Sequence, residues 1–473
     1  MKGVAITMHP SDRVLFISQD VIGRSMAGPG IRTYHLSGIL ARHMPTVVAV
    51  PNSNVDDIPP NGAEFVHFDL NHQESLAPLV HRSSVCIAQG DITNLYQELG
   101  TTSAALVIDG YTPHLAEYLA TWQHRPLAEQ VSGWQQRLQM LHRQYSVGDF
   151  FLCASERQRD WWLGLLEAHG RVNPATLCDD PSLRRLIDVV PYGLHNKPIQ
   201  HTDNVIRNVW PGIGEDDKVL LWGGGLWPWL DPLTAIQAVA NLWIQRQDVR
   251  LIFPGTRHPN PLVETMPTHT AAARQLADDL GLTDKAIFFG DWIAYEDWDN
   301  VLLESDIALS LHFDTLETRL AFRTRILDYI RAGLPSIVSA GDATAEIIAQ
   351  RNLGIVTPIA DVVAVTRALA TLLDAPRSLY TANFAAARAQ LTWEVAAEPL
   401  VRFCLNPRHA PDKSIMGAQL GNPTQVALAE QLAQARRMIE AYESGKFIRL
   451  MRWLDRLRRR FQSASTNDAT RTL

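Results

Sequence analysis

Residues 218–236, KVLLWGGGLWPWLDPLTAI, decide the fold of the second half of the chain. The run Lys218–Trp222 is almost entirely apolar, as a strand covered on both faces of a sheet should be, and it leads into three consecutive glycines. Asp231 and Pro232 then suit the N-cap and the first position of a helix. The pattern predicts a strand, a loop with room for a ligand, and a helix. A tight turn covered by Trp227 and Trp229 is the structural alternative.

Further strands are predicted on both sides of this unit, separated by helix-length segments, which is typical of parallel sheets with crossover helices. The first half has predicted strands at Val14–Ser18, Thr46–Val50, Glu64–Phe68, Val85–Ala88, Ala105–Ile108 and Phe150–Ala154. The second half has them at Lys218–Trp222, Val249–Phe253, Ala286–Phe289, Ile307–Leu311, Ser336–Ser339 and Gly354–Val356. Two successive sets predict two Rossmann-like, doubly wound α/β domains, because twelve strands are too many for an eightfold barrel.

Composition limits the class of protein. The chain has 473 residues, of which 46% are hydrophobic and 20% charged, so a mainly disordered, collagen-like or coiled-coil protein is excluded. Its net charge of −7 argues against a general nucleic-acid binder. The cysteines form no Cys-x-x-Cys pair, so neither disulfides nor a zinc ribbon is expected, and a reducing, cytoplasmic location is favoured.

The predicted domain organisation has four parts. An N-terminal domain covers residues 1–192, with a strand ending at Pro191, and a second domain covers 193–405. The last helices of the second domain, in the segment Ala385–Phe403, are expected to cross back to the first. A linker at 406–425 and a basic helical tail at 426–473 complete the prediction.

Polar and glycine residues follow the first-half strands. Gly28 and Gly30 precede a predicted helix from Ile31 to His43, where free N–H groups attract anions, although Gly-Pro-Gly is also a good turn. Asp109 and His114 follow a later strand and are predicted to contact sugar hydroxyls or act as the acceptor base. A helix cap or turn is the structural alternative for both.

A basic set follows the strand Ile307–Leu311, in residues 312–335. Arg323 and Arg325 fall in the first turn of a predicted helix, where the helix dipole disfavours cations. Their placement therefore predicts an anionic ligand, which arginine binds in a bidentate manner; ordinary surface arginines are the alternative. The full set of candidates here is Arg257, Glu317, Arg319, Arg323, Thr324, Arg325 and Asp328.

Taken together, these motifs resemble the GT-B glycosyltransferases, specifically glycosyltransferase family 4, over about residues 12–375. The resemblance is carried by Gly28-Pro29-Gly30, Val190-Pro191-Tyr192-Gly193-Leu194, Trp222-Gly223-Gly224-Gly225, Glu317-Thr318-Arg319, Phe322-Arg323-Thr324-Arg325, and Leu327-Asp328-Tyr329 with Gly333-Leu334-Pro335. The tryptophan-glycine and arginine motifs resemble those of a bacterial branch of that family.

The chain departs from the family pattern at four positions. Asp328 stands where glutamate is usual, and Leu320 where the family has a paired glutamate. Gly225 and Leu230 fall about where the family has its phosphate-binding Arg and Lys. The charge that binds a diphosphate is therefore expected to come from other residues.

The resemblance implies transfer of a hexosyl group from a nucleotide-diphosphate sugar to an acceptor hydroxyl, with retention of configuration and without metal or other cofactor. The acceptor is expected to be a glycan, or lipid- or protein-linked. The resemblance also implies that the domain at 1–192 is the acceptor-side domain and that the domain at 193–405 binds the nucleotide sugar. Candidate catalytic residues are Asp109, His114 and Arg323. Candidate donor-binding residues are Gly28, Gly30, Gly224, Gly225, Arg257, Glu317, Arg319, Arg323, Thr324, Arg325 and Asp328.

Other interpretations stay open. The same fold hosts nucleotide-sugar epimerases, which release products without an acceptor, and an inactive sugar-nucleotide-binding subunit would keep the same glycines and arginines. The triplet Asp297-Trp298-Asp299 matches the metal-binding mark of the other glycosyltransferase fold. Its position at a predicted helix start, Tyr295–Glu304, favours the interpretation that these acids cap the helix dipole.

Positive charge is concentrated in the tail. Between Lys446 and Arg460 lie seven basic residues against the single acid Asp455, and aromatic and leucine side chains recur at three- and four-residue steps. Such a helix over residues 440–461 is typical of one that lies on an anionic membrane surface. Docking on a partner subunit, which would make an oligomer, is the alternative.

Removing residues 440–473 is expected to abolish co-sedimentation with anionic liposomes, because each cation near such a surface contributes about 1 kcal/mol. The circular dichroism spectrum of the remaining chain should show the fold intact. Liposome binding that persists undiminished after the deletion would argue against a membrane-binding tail.

Overall fold

The computed structural model describes residues 13–23, 26–70, 72–195, 197–256, 267–291 and 293–416. Two sheets of parallel strands form the frame. The first contains β1 (Val14–Ile17), β2 (Thr46–Val50), β3 (Glu64–His67), β4 (Val85–Gln89), β5 (Ala105–Asp109), β6 (Phe150–Cys153) and β7 (Ile187–Val189). The second contains β8 (Lys218–Trp222), β9 (Val249–Phe253), β10 (Ile287–Phe289), β11 (Ile307–Ser310), β12 (Ser336–Ser339) and β13 (Gly354–Thr357).

Both sheets are doubly wound. The first has the strand order β3-β2-β1-β4-β5-β6-β7, and the second β10-β9-β8-β11-β12-β13. The first strand of each set lies between two parallel neighbours: Val14 is in register with Thr46 and Val85, and Leu220 with Leu251 and Ile307. The strand order therefore reverses beside β1 and beside β8, and ligands of such folds bind outside the carboxyl ends of the strands at that point.

Helices cover both faces of each sheet, because each connection between parallel strands must cross over the sheet and usually does so as a helix. Those of the first lobe are α1 (Gly28–Leu40), α2 (Ala77–Val80), α3 (Ile92–Leu95), α4 (His114–Trp122), α5 (Leu127–Val147), α6 (Glu156–Ala168) and α7 (Pro174–Asp179). Those of the second are α8 (Pro232–Trp243), α9 (Pro267–Asp279), α10 (Trp298–Glu304), α11 (Leu316–Leu320), α12 (Thr324–Ala332), α13 (Ala343–Arg351), α14 (Val362–Asp374) and α15 (Thr381–Gln390).

The two sheets confirm the predicted α/β, doubly wound class. Each of the twelve predicted strands is present within about a residue of its expected ends. Most are almost wholly apolar because both of their faces are buried, whereas β3, at the edge of the first sheet, is half-buried or exposed throughout. The strand β7, expected only as a strand ending near Pro191, is three residues long and carries a charged Asp188 at its centre. In the part of the chain that the structure describes, no helix has the length and hydropathy needed to cross a bilayer.

The helix boundaries differ from the prediction in two places. Helix α1 begins at Gly28 rather than Ile31 and ends at Leu40, since Pro29 is tolerated in a first turn whose N–H groups have no intrahelical partner. The helices expected in the segment Ala385–Phe403 are three, α15, α16 (Trp393–Ala396) and α17 (Glu398–Leu405), and together they run from Thr381 to Leu405. The Thr392 hydroxyl caps α16, accepting a hydrogen bond from the backbone N–H of Val395 at 3.3 Å.

Helices α16 and α17 pack on the first sheet. Trp393 and Phe403 lie in the same apolar cluster as β1 and β6, and the Phe403 ring stacks on that of Phe150 at 4.6 Å. The chain crosses beside Gly193, where an added Cβ would lie only 2.5 Å from the Trp393 Cα. A glycine at 193 is therefore required for the two segments to pass, and the Leu194 N–H bonds the Leu391 carbonyl at 2.7 Å.

The expected linker at 406–425 contains a helix, α18 (Pro411–Met416), whose first residues dock on the first lobe. Asp412 pairs with the guanidinium of Arg171, and the side chains are 2% and 5% exposed. Asp149 accepts hydrogen bonds from the backbone N–H of Ala410 at 2.9 Å and from the Lys413 ammonium at 2.8 Å. The segment docks through polar contacts rather than through an apolar face. Its polar composition therefore resembles that of a linker, and the sequence alone predicts one. The predicted tail at 426–473 lies outside the described residues.

Replacing Asp412 by alanine is expected to lower the free energy of unfolding by about 3 kcal/mol, because the buried Arg171 charge loses its counter-ion. The matched control is Glu398→Gln, which breaks an exposed pair with Arg402 and should cost no more than about 0.5 kcal/mol. Urea unfolding of both variants measures the difference. Equal stability losses would contradict a structural role for the buried pair.

Candidate functional site

The glycine loop at the end of β8 is fixed by a tyrosine of α12. The backbone N–H of Gly223 donates to the Tyr329 hydroxyl oxygen at 2.9 Å, and that hydroxyl donates to the Leu309 carbonyl at 3.2 Å. A Cβ at position 223 would lie 2.6 Å from the same hydroxyl oxygen. The close approach therefore requires glycine, and it holds the half-buried backbone of Gly224 and Gly225 beside the start of α12.

Arg325, in the first turn of α12, reaches this glycine loop. Its Nη2 donates to the Gly225 carbonyl at 3.5 Å, and its guanidinium carbon lies 6.0 Å from the centre of the Trp222 ring. Its buried Nη1 has no hydrogen-bond partner among the described residues. Burial lowers the pKa of Arg325. A buried cationic nitrogen without a partner is costly, and an anion bound at the loop would satisfy it.

Arg323, two residues earlier, is paired. Its Nη1 and Nη2 donate to the two carboxylate oxygens of Glu317 at 2.8 and 2.7 Å. Arg323 is 8% exposed and Glu317 2%. The helix dipole at this N-terminus disfavours a cation, as the sequence implies, but the counter-charge comes from α11 of the same lobe. The positive charge of Arg323 is therefore neutralised within the protein.

The other second-lobe candidates occupy different positions. Arg319 is 63% exposed and pairs with Asp314 on the surface, Nε to Oδ1 3.0 Å. Asp328 accepts a hydrogen bond from the Trp298 indole N–H at 3.2 Å, and burial raises its pKa to about 6. Thr324 is the first residue of α12, and Arg257 lies outside the described residues.

In the first lobe, Asp109 at the end of β5 is held by a buried arginine. Arg32 of α1 donates from Nε to Oδ2 at 2.8 Å and from Nη2 to Oδ1 at 3.1 Å. The same guanidinium donates to the Pro191 carbonyl at 3.0 Å and lies 4.6 Å from the centre of the Tyr111 ring. Both Asp109 oxygens are thus occupied, which the sequence did not indicate because Arg32 is seventy-seven positions away.

Two titratable groups of α4 lie beyond Asp109. The pKa of His114 is lowered to about 4 by burial and by the Arg137 charge, so the imidazole is neutral. Burial and the Glu317 carboxylate raise the pKa of Glu117 to about 7, against the opposing effect of Arg323. Sequence reasoning named His114 but missed Glu117. The three-residue spacing, which puts both on one helix face, could have indicated it.

The lobes are joined beside these groups. The Tyr111 hydroxyl donates to the Phe322 carbonyl at 3.2 Å. The buried amide of Gln158 donates to the carbonyls of Tyr111 at 2.9 Å and Leu320 at 2.8 Å. These bonds and the packing of α4 on α11 bring Glu117 opposite Glu317.

The remaining predicted features, the Gly28-Pro29-Gly30 motif and the acidic triplet at 297–299, have structural roles. Gly28 and Gly30 form the first turn of α1 rather than a loop before it, and a Cβ at 30 would lie 2.7 Å from the Val21 carbonyl oxygen. Asp299 of the acidic triplet pairs with Arg331, Oδ2 to Nη1 3.1 Å, consistent with a structural role. Among the described ranges, no three His, Cys, Asp or Glu side chains are grouped to hold a metal ion.

Comparisons with known proteins concern the second lobe and the fold. Residues 217–375, which contain the glycine loop and the arginines, match the family model described as Glycosyl transferases group 1. No curated protein sequence is significantly similar to the chain.

Solved structures share the fold at low identity. A Rickettsia africae glycosyltransferase is 13% identical, with 85% of this chain and 100% of that chain covered and a TM-score of 0.56. Anabaena Alr3699/HepE, solved with UDP and glucose, is 12% identical, with 83% and 99% covered and a TM-score of 0.58. A Burkholderia multivorans trehalose 6-phosphate synthase is 12% identical, with 90% and 98% covered and a TM-score of 0.57. The chain therefore has the two-domain GT-B fold, and the family match supports a glycosyltransferase.

Glu117→Gln is expected to change how stability depends on pH. The raised pKa means that the folded state binds this proton more tightly than the unfolded state, whose value is near 4.5. The stability that Glu117 contributes is complete below that value and is lost as pH rises through about 7. As pH rises from about 4.5 to about 7, the free energy of unfolding of the wild type, measured with urea, should fall by on the order of 1–3 kcal/mol more than that of the variant. Parallel curves for the two proteins would contradict the shift.

Proposed function

We propose that the protein is a glycosyltransferase that moves a sugar from a nucleoside-diphosphate donor to an acceptor hydroxyl. The observation that carries the proposal is the half-buried Arg325 guanidinium beside the Gly224–Gly225 backbone, with one buried nitrogen that has no partner in the described structure. The family match over residues 217–375 supports it. So does the fold shared with Anabaena HepE, whose structures were solved with UDP and with UDP-glucose.

The proposed chemistry is electrostatic. Negative charge develops on the diphosphate as the bond to the sugar breaks, and Arg325 with the main chain of Gly224 and Gly225 would stabilise it. A preorganised donor of this kind lowers a barrier by about 3–4 kcal/mol. The family's phosphate-binding Arg and Lys are absent from this chain, which has Gly225 and Leu230 at about those positions. We propose that Arg325 and the glycine backbone bind the diphosphate in their place.

Arg323 has a different proposed role from the one that the sequence indicates. Because both ends of its guanidinium bond Glu317, we propose that Arg323 fixes that carboxylate toward hydroxyl groups of the sugar and borders the sugar itself, rather than binding the diphosphate. Asp109 likewise positions Arg32 and Tyr111 at the junction of the lobes. Neutral His114 retains a buried Nε2 with no partner in the described ranges, and we propose that it contacts the acceptor or the sugar.

The finer assignments follow the family resemblance and are part of the proposal: transfer with retention, without a metal ion, to a glycan or to a lipid- or protein-linked acceptor. We also propose a cytoplasmic enzyme that binds an anionic membrane through residues 440–461. An epimerase of the same fold would release free sugar or nucleotide without any acceptor. Mass spectrometry of the products separates these two activities.

Replacing Arg325 by methionine is expected to weaken binding of UDP or GDP about tenfold to a hundredfold, because a charge-assisted contact to the diphosphate is lost, while uridine or guanosine binding stays unchanged. Arg319→Met, which removes an exposed and paired guanidinium, is the matched control and should leave nucleotide affinity unchanged. Calorimetry measures both. If neither nucleotide binds the wild-type protein, or if the nucleoside loses as much affinity as the diphosphate, the proposal fails.

A further inference from the structure

We propose that Glu117, facing Glu317 and Arg323 across the lobe junction, makes the sugar subsite select uncharged sugars over sugars that carry a carboxylate. The inference deepens the proposed function and rests on it, because it names the class of sugar that the same site accepts. Glu117 is a half-buried side chain of α4, and the carboxylate has no hydrogen-bond partner within the described residues.

Carboxylates outnumber cations around Arg323. Glu317 occupies both ends of the guanidinium, and Asp342 Oδ2 lies 3.6 Å from its Nε, beyond hydrogen-bond distance. Glu117 approaches from the opposite lobe, where α4 packs on α11, and it interacts electrostatically with both Arg323 and Glu317. Arg325, the remaining cation, is assigned to the diphosphate. A sugar bound at Arg323 therefore meets a surface whose charge is negative.

The same surface carries features that suit a neutral, hydroxyl-rich ring. Arg323 is 8% exposed, yet its Nε has no hydrogen-bond partner in the described part of the chain. A buried N–H of this kind is satisfied when a ligand brings an oxygen acceptor, and a sugar hydroxyl is one. The ionised carboxylates accept hydrogen bonds, and sugar hydroxyls supply the donors.

Two tryptophans of the glycine loop border this surface. The Trp229 ring centre lies 6.0 Å from the Arg323 guanidinium carbon, and Trp227 stacks on Trp229 at 5.5 Å with the planes 6° apart. Both side chains are half-buried. An indole face can stack on the apolar C–H face of a sugar ring with little desolvation penalty. It makes no favourable contact with a carboxylate.

Glu117 is the group whose charge changes near neutral pH. Burial and Glu317 raise its pKa to about 7, and Arg323 opposes the shift. Tyr111 also faces it, and burial keeps that phenol protonated by raising its pKa. His114 on the same helix is neutral because its pKa is about 4, and Arg137 of α5 acts on His114 rather than on Glu117. Exclusion of an acidic sugar should therefore strengthen as pH rises through about 7.

The experiment compares donor pairs that differ only by a carboxylate: UDP-glucose with UDP-glucuronate, and GDP-mannose with GDP-mannuronate. Calorimetry on the full chain gives the affinity ratio of each pair at about pH 6 and about pH 8.5. Wild type is expected to prefer the neutral sugar by about tenfold at the higher pH, and by less at the lower pH. Glu117→Gln should narrow the ratio and remove its pH dependence while leaving affinity for UDP or GDP unchanged.

Glu167→Gln, which removes an exposed carboxylate of α6 in the same lobe, should behave as wild type. Equal or tighter binding of the acidic sugar by wild type, or a ratio that Glu117→Gln leaves unchanged, overturns the role of Glu117 while the enzyme assignment stands. Failure of both UDP and GDP to bind overturns the proposed function together with this inference. The wild-type pH dependence is an independent readout if the variant does not fold.

Discussion

The bidentate ion pair between Arg323 and Glu317 is the constraint from which the organisation of the site follows. Both side chains are almost fully buried, so neither ion would be tolerated without the other. The pair joins α11 to the start of α12 and fixes the loop between them. The Phe322 carbonyl of that loop then accepts a hydrogen bond from Tyr111 of the first lobe, and the Leu320 carbonyl at the end of α11 accepts one from Gln158. One intralobe ion pair therefore shapes the surface on which the two lobes meet.

As a second consequence, the neighbouring arginines Arg323 and Arg325 have different roles. Arg323 is neutralised by Glu317, whereas Arg325 has a carbonyl at 3.5 Å and one buried nitrogen without a partner in the described structure. Only the second has positive charge available for an anion. The position of Arg325 beside Gly224 and Gly225 is set by Tyr329, whose hydroxyl bridges the Gly223 amide and the Leu309 carbonyl. The glycine loop and the cation are thus held by the same helix.

The fold could be predicted from the sequence because most of its strands are short, apolar and buried on both faces. The run Lys218–Trp222 and the capping pair Asp231–Pro232 are local signals, and the Asp231 carboxylate does accept a hydrogen bond from the Thr234 N–H at 3.0 Å. The linker at 406–425 was less predictable. Its docking depends on Arg171 and Asp149, which are distant in sequence and leave no local pattern.

Several residues of the site could be predicted from the sequence, but the ion pairs that they form could not. The sequence indicates Arg323 and Arg325 as equivalent cations against a helix dipole, and it cannot show that a carboxylate six positions earlier reaches only one of them. Asp109 appears from sequence as a free strand-end acid, although Arg32 occupies both of its oxygens. Glu117 was missed because its raised pKa arises from burial and from Glu317 across the lobe junction, both of which depend on the tertiary fold. Pairing of charges is a tertiary property.

A crystal structure of the protein with UDP or GDP bound tests the central claim most directly. The account predicts that the diphosphate lies within hydrogen-bond distance of the Arg325 guanidinium and the Gly224–Gly225 backbone, with the Arg323–Glu317 pair intact. A diphosphate bound by Arg323 after separation from Glu317, or a nucleotide located away from the glycine loop, would contradict it.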